Sequence, residues 1–255
     1  LCPERWDKPY HDPSFSCSSY DNCHAPWGSR HEGTWGHVKY KKFISGQYIW
    51  TGFDYIGEPT PYGWPARSSY FGIIDLAGFP KDIYYMYQRE WTNKDVLHLF
   101  PHWNWKDGEE VDMWCYYNNA DEVELFVNGE SQGVQYKDSL VFHTMWRVKY
   151  HPGEVTVISR KDGKDIGKKT IKTAGRPAQI RLTADRSRIR ANGEDLSFVT
   201  VEILDQDGNL CPKAENNVSF DIEGVGFIAG VDNGSPISLE RFKDNHRKAF
   251  YGKCL

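Results

Sequence analysis

The spacing of hydrophobic and polar positions changes twice along this 255-residue chain and divides it into three stretches. In the first, 1–93, a polar segment with little periodicity runs to Ser29. His31–Phe43 (HEGTWGHVKYKKF) then places Trp35, Val38 and Phe43 on or near one face at helical spacing and predicts a helix despite two glycines. Ile44–Trp50 is a short apolar run and predicts a strand. After a long loop and a break at Gly78–Pro80, Asp82–Glu90 (DIYYMYQRE) predicts a second helix with Ile83, Met86 and Tyr87 facing inward. Helix, strand, loop, helix is one αβα segment of an α/β protein, too little to close a sheet by itself.

From about Lys94 the period falls to two. Runs at 96–100, 111–117, 123–127, 134–136, 142–148 and 155–159 are separated by turn sequences, among them Asn128-Gly129 and the KDG at 161–163. Glu122 and Glu124 alternate with Val123, Leu125 and Val127, the signature of a strand with one buried face. Close turn spacing predicts an antiparallel sandwich over 94–174. Beyond a linker at Gly175–Pro177, the runs 180–184, 196–204 and 218–222 predict a second sandwich over 175–255. It breaks off in Ala249–Leu255 as though a strand had begun without its successors.

Composition sharpens this. Aromatics reach 15%, with ten Trp, concentrated before Trp146. A net charge of −4 without a strongly basic half argues against nucleic acid as a partner. Basic residues in Arg176–Arg190 and Arg241–Lys253 fit solvated strand faces. Without a run of 18 apolar residues, no helix is expected to span a membrane. The opening LCPERWDKPYHDP does not resemble a native start, so a fragment or processed chain is expected. Six Cys form neither a dense disulfide framework nor a CxxC pair; a Cys17–Cys23 bridge is compatible with the spacing, but free buried thiols fit better. Cys17, Cys23 and His24 match no closed metal site, and neither metal nor cofactor is expected.

Candidate chemistry lies in FISGQYIWTGFD (Phe43–Asp54) and the loop YIGEPTPYGWPARSSYFG (Tyr55–Gly72). An apolar run opening into a loop rich in aromatics, Pro and Gly can build a rim for a ring-shaped ligand, and a sugar packs its C–H face on an indole while its hydroxyls find polar partners. Trp50 is the foremost candidate contact, with Asp54, Trp64 and Arg67 beside it and Tyr62 as a further member. Nothing local fixes Asp54 and Glu58 as an acid–base pair, and a loop-ordering role suits both. Trp103, Trp105, Trp114 and Trp146 offer a binding face or, the better fit, packing for the sandwich.

The segments SCSSYDNCHAPWGS, WTGFDYIGEPTPYGWPARSSYFG and DLAGFPKDIYYMYQ resemble the last part of the catalytic barrel of glycoside hydrolase family 2, the β-galactosidase-like enzymes; EVDMWCYYNNADEVELFVNGESQG resembles the immunoglobulin-like domain that follows it in Bacteroides-type members. The resemblance implies the C-terminal part of a (β/α)8 TIM barrel over 1–93, with Phe43–Trp50 as its eighth strand. Two β-sandwich modules would follow, an immunoglobulin-like one at 94–174 and an immunoglobulin-like or invasin-like one at 175–255, the last incomplete. It implies Trp50 lining the subsite of the cleaved sugar. It also implies a retaining exo-β-glycosidase, foremost a β-galactosidase, acting on a β-linked oligosaccharide or glycan, with β-glucuronidase and β-mannosidase as neighbours. Retaining hydrolysis needs two carboxyl groups about 5–5.5 Å apart, and the family's glutamate positions have no match here. The pair is therefore expected upstream of Leu1, in a missing N-terminal portion, and the fragment alone is expected to be inactive. Phe71 stands where an Asn precedes the Gly in members with a sodium site, which counts against that site here. The resemblance further implies periplasmic or secreted placement and admits a homo-oligomer. The contrasting reading is a noncatalytic carbohydrate-binding or scaffolding sandwich protein.

Overall fold

The computed structural model describes residues 13–22, 24–25, 27–139 and 141–255. The opening segment, Cys2 and the Cys23 half of the proposed bridge lie outside them; Cys17, Cys115, Cys211 and Cys254 are free thiols. The chain forms two compact units. One holds the described residues up to Ile74 with Pro80–Thr173, the other Asp75–Phe79 with Ala174–Leu255.

The first unit begins with helices α1 (His31–Tyr40) and α2 (Asp82–Trp91). Its strands are β1 (Leu97–Phe100), β2 (Glu110–Tyr117), β3 (Glu122–Val127), β4 (Glu130–Tyr136), β5 (Thr144–Lys149), β6 (Glu154–Lys161) and β7 (Lys164–Lys172). They make two antiparallel sheets, ordered β1-β2-β5 and β4-β3-β6-β7. Asn128 and Gly129 close the β3–β4 hairpin with φ of 49° and 86°, the paired left-handed geometry that an Asn-Gly turn adopts. Alternation explains the core. Val123, Leu125 and Val127 of β3 meet Val155 and Val157 of β6 and Val111, Met113, Cys115 and Tyr117 of β2. The intervening β2 residues Trp114 and Tyr116 face the other way, into a second cluster with Met86 and Tyr87 of α2. β2 is thus covered on both faces, and the unit has a helical layer on a two-sheet sandwich. Trp103, Trp114 and Trp146 are buried and Trp105 packs against the sandwich core, so these indoles fill the interior.

Acid–histidine contacts fasten the helices to the sheet. In the first turn of α1, Glu32 accepts hydrogen bonds from the Phe142 backbone N–H (3.0 Å) and His143 Nδ1 (2.7 Å), and the His143 ring stacks on Trp114 at 3.4 Å. At the start of α2, Asp82 contacts His98 Nε2 at 2.8 Å, and the His98 ring stacks on Tyr85 at 3.7 Å.

The expected fold class is corrected here: the described residues show no part of a closed (β/α)8 barrel. The two helices hold 20 of the 240 described residues, and all pairs between named strands are antiparallel within open sheets. The predicted barrel strand Phe43–Trp50 is irregular, with Phe43 84% exposed and Tyr48 fully so. A parallel barrel strand needs hydrogen-bonded neighbours on both sides, and an apolar run without them does not become a strand. Backbone pairing starts only at Thr51, where Thr51–Asp54 exchanges bonds with Phe71–Ile74.

In the second unit β8 (Gln179–Ala184), β9 (Val199–Leu204) and β12 (Lys253–Cys254) form one sheet, ordered β12-β9-β8, while β10 (Asn217–Ser219) pairs with β11 (His246–Lys248). Val201 and Ile203 enter a core with Cys211, Val218, Ala249 and Cys254. Their cross-strand partners Leu182 and Ile180 remain exposed, so that core covers β9 and leaves β8 open. Arg247 is fully buried and donates to the Val231 (2.6 Å) and Arg241 (3.1 Å) carbonyls, holding the strandless stretch 231–241.

Glu32→Ala leaves the Phe142 N–H buried without its acceptor, a loss of about 1–3 kcal/mol. Hydrogen exchange on the intact protein should show protection of that amide falling by about tenfold or more; unchanged protection would contradict the anchoring role.

Candidate functional site

A cavity of about 570 Å³ opens in the first unit. Its walls come from described residues of 17–34, the irregular 47–50, the loop around 58–62, Tyr70–Gly72 and the start of α2. Local chemistry explains how these segments are held. Asp54 and Lys81 form a buried ion pair at 2.7 Å, with side chains 4% and 8% exposed. Asp54 also accepts the Gly72 N–H at 2.8 Å, and Lys81 donates to the Tyr70 carbonyl at 3.1 Å. Burial raises the Asp54 pKa, and Lys81 works against that shift. A Cβ on Gly72 would lie 2.2 Å from the Asp54 backbone nitrogen, so this close approach requires glycine.

Each predicted contact residue has a definite place. Trp50 lines the cavity and is 71% exposed. Its indole Nε1 donates to the Tyr55 hydroxyl at 3.2 Å, which in turn donates to Glu58, another lining residue. Burial first, and the Glu58 carboxylate second, raise the Tyr55 pKa. Tyr62 also lines the cavity, its ring 4.9 Å from that of Tyr70. Asp54 stands behind the wall in its ion pair, while the exposed Trp64 and the half-buried Arg67 lie off the lining.

The sequence did not single out a polar floor formed by His31, Gln47 and Tyr87. His31 Nδ1 meets the Tyr87 hydroxyl at 2.9 Å and Gln47 Nε2 donates to the same hydroxyl at 3.2 Å. Burial, then Lys81, lowers the His31 pKa to about 4, so the neutral ring can accept the tyrosyl proton. The signal available beforehand was modest: a histidine opening a helix and an inward tyrosine on another. Asp21 accepts the His31 and Glu32 backbone N–H groups at 3.0 and 2.7 Å and caps α1. Burial drives its pKa up to about 7, against those two bonds and with the help of Glu32.

The three carboxylates on the lining are already engaged: Asp21 on the helix cap, Glu58 on Tyr55, Asp82 on His98. The arrangement offers an aromatic wall and a hydrogen-bonding floor, which suit binding and orientation of a polar ring. Among the described residues no group of three or more His, Cys, Asp or Glu is placed to hold a metal ion, and no helix is long and apolar enough to cross a membrane.

Asp21 gives this wall a pH dependence. Its folded pKa of about 7 exceeds the ordinary 3.8, so its contribution is complete below about pH 4 and is lost as pH rises toward 7. Asp21→Asn removes the titration while keeping an acceptor. The protection factor of the Glu32 amide, wild type relative to D21N, should fall between pH 4 and 7; a ratio that rises with pH would contradict the assignment.

The sequence profile described as glycoside hydrolase family 2 C-terminal domain 5 matches residues 180–255, and one described as a domain of unknown function (DUF4982) matches 108–167. The chain is 69% identical over all 255 residues to the β-galactosidase BoGH2A of Bacteroides ovatus, spanning 30% of that protein. It is 27% identical over 249 residues to a β-glucuronidase of Formosa agariphila, covering 91% of this chain and 25% of that one. A crystal structure of a β-glycosidase from Bacteroides vulgatus superposes with a TM-score of 0.88 at 33% identity, over 95% of this chain and 31% of that one. The chain thus spans about a third or less of the length of these relatives. By these matches, the chain belongs to glycoside hydrolase family 2, close to its Bacteroides β-galactosidase-like members.

Proposed function

We propose that the intact protein containing this chain is a retaining exo-β-glycosidase that hydrolyses terminal β-galactosides of a β-linked oligosaccharide or glycan. This chain contributes a sugar-contacting wall centred on Trp50. The carrying observation is the 69% identity with a β-galactosidase over all 255 residues, a match whose length includes the segments that line the aromatic-walled cavity. The two reacting carboxylates belong to polypeptide outside this chain, because the carboxylates on the lining already have structural partners. Asp54 acts in this reading by ordering the wall, and Trp64 and Arg67 contact the substrate beyond the cleaved sugar. In the whole protein the stretches 94–174 and 175–255 are separate sandwich modules, the helices of 1–93 pack on the first of them, and the protein works in the periplasm or after secretion.

Charge favours a neutral sugar over a uronate. Lys81 is the one lysine or arginine among the described lining residues, and Asp54 neutralises it, whereas Asp21, Glu58 and Asp82 are acidic groups. A glucuronate carboxylate on the cleaved sugar would meet no lysine or arginine of its own on this lining, an expensive burial.

Steady-state assay of the intact protein tests this. Turnover of p-nitrophenyl β-D-galactoside should exceed that of the β-D-glucuronide by about 100-fold or more in kcat/KM. A preference for the glucuronide, or turnover by the 255-residue chain alone that disappears on changing Asp54 or Glu58, would overturn it.

A further inference from the structure

A binding platform made from one exposed indole has to be held at a fixed angle. Trp50 is 71% exposed, so packing alone does not fix its ring. What touches it is Tyr55: the rings meet edge to face at 89° with centroids 6.3 Å apart, and the indole N–H donates to the tyrosyl oxygen. The same hydroxyl donates its proton to Glu58. Tyr55 therefore spends its acceptor on the indole and its donor on a carboxylate, and the second bond polarises the hydroxyl to strengthen the first.

Tyr55 is itself well anchored. Its N–H donates to Ser69 Oγ at 3.1 Å, its carbonyl accepts the Ser69 N–H at 2.8 Å, and the Gly57 N–H donates to the Arg67 carbonyl at 3.0 Å. These bonds make a short two-stranded ribbon. Gly57, with φ of 111°, turns the chain so that Glu58 comes back beside the Tyr55 hydroxyl. That backbone conformation strains any residue with a Cβ.

We propose that Tyr55 and Glu58 are positioning residues that lock the Trp50 indole with its N–H consumed, so that a sugar meets the ring face and not its polar edge. The inference rests on the reading of Trp50 as a sugar contact. The ligand class it selects is a pyranose that presents a C–H face to the indole, not one that needs a hydrogen bond from it. A platform set before binding contributes equally to substrate and transition state, so its loss raises KM and spares kcat.

The experiment is a kinetic series on the intact protein with p-nitrophenyl β-D-galactoside. Tyr55→Phe keeps the ring and removes both bonds; KM should rise about fivefold, the scale of one lost hydrogen bond, with kcat within about twofold. Glu58→Ala should also raise KM, and Glu58→Gln, which keeps an acceptor, should recover at least half of that loss. Glu58 is exposed, so E58A carries the test should Y55F fail to fold. Trp50→Ala gauges the underlying reading and should raise KM by more than about tenfold. Unchanged KM in Y55F and E58A, beside a raised KM in W50A, overturns the positioning role and leaves the Trp50 reading standing. A loss confined to kcat, or E58Q as damaging as E58A, also overturns it. Unchanged KM in W50A overturns both.

Discussion

The buried pair between Asp54 and Lys81 is the constraint on which the cavity depends. Lys81 immediately precedes α2, and Asp54 lies four residues beyond Trp50, so the pair ties the aromatic segment to the helical layer. Taking two charges out of water is costly, and attraction alone often fails to repay it. Here the remaining capacity of each ion is used on neighbouring backbone: the Gly72 N–H for the carboxylate, the Tyr70 carbonyl for the ammonium. One polar knot thereby fixes 50–54, 70–72 and the entry of α2, which carry much of the cavity wall.

Support for that knot comes from the sandwich. β2 buries both faces, its odd-numbered residues in the inter-sheet core and Trp114 and Tyr116 beneath the helices. Glu32 and Asp82, one in the first turn of each helix, reach histidines that stack on aromatic rings. The high aromatic content is therefore divided. Most of the tryptophans of the sandwich are structural, while Trp50 stays accessible and is steadied by hydrogen bonds.

Much of this was legible in the sequence where the determinants are local. Both helices start where 3.6-residue spacing places them, although α1 ends at Tyr40 and leaves Phe43 outside it and exposed; β3 follows strict alternation with an Asn-Gly turn behind it, and β2 covers its predicted run while burying both faces. Local pattern failed at Ile44–Trp50, because an apolar run becomes a strand only when other segments supply hydrogen bonds, and that is not written in the run. It also missed β7, whose sequence KDIGKKTIK carries no clear alternation and is held by its register with β6. At the site, aromatic crowding pointed to Trp50 and Tyr62. Asp54 read both as a sugar contact and as a loop-ordering carboxylate, and its partner was not legible: Lys81 lies 27 positions away and looks like an ordinary surface lysine. The His31–Gln47–Tyr87 floor likewise joins three distant segments that share no motif.

The most direct test of the account is a double-mutant cycle on Asp54 and Lys81 in the intact protein, read as galactose affinity by calorimetry. If the pair organises the sugar wall, Asp54→Asn and Lys81→Met each weaken galactose binding, because each strands a buried charge. The combined variant then binds better than the sum of the two losses, with a coupling of about 2 kcal/mol. Strictly additive losses, or single variants that bind galactose as tightly as the parent, would contradict it.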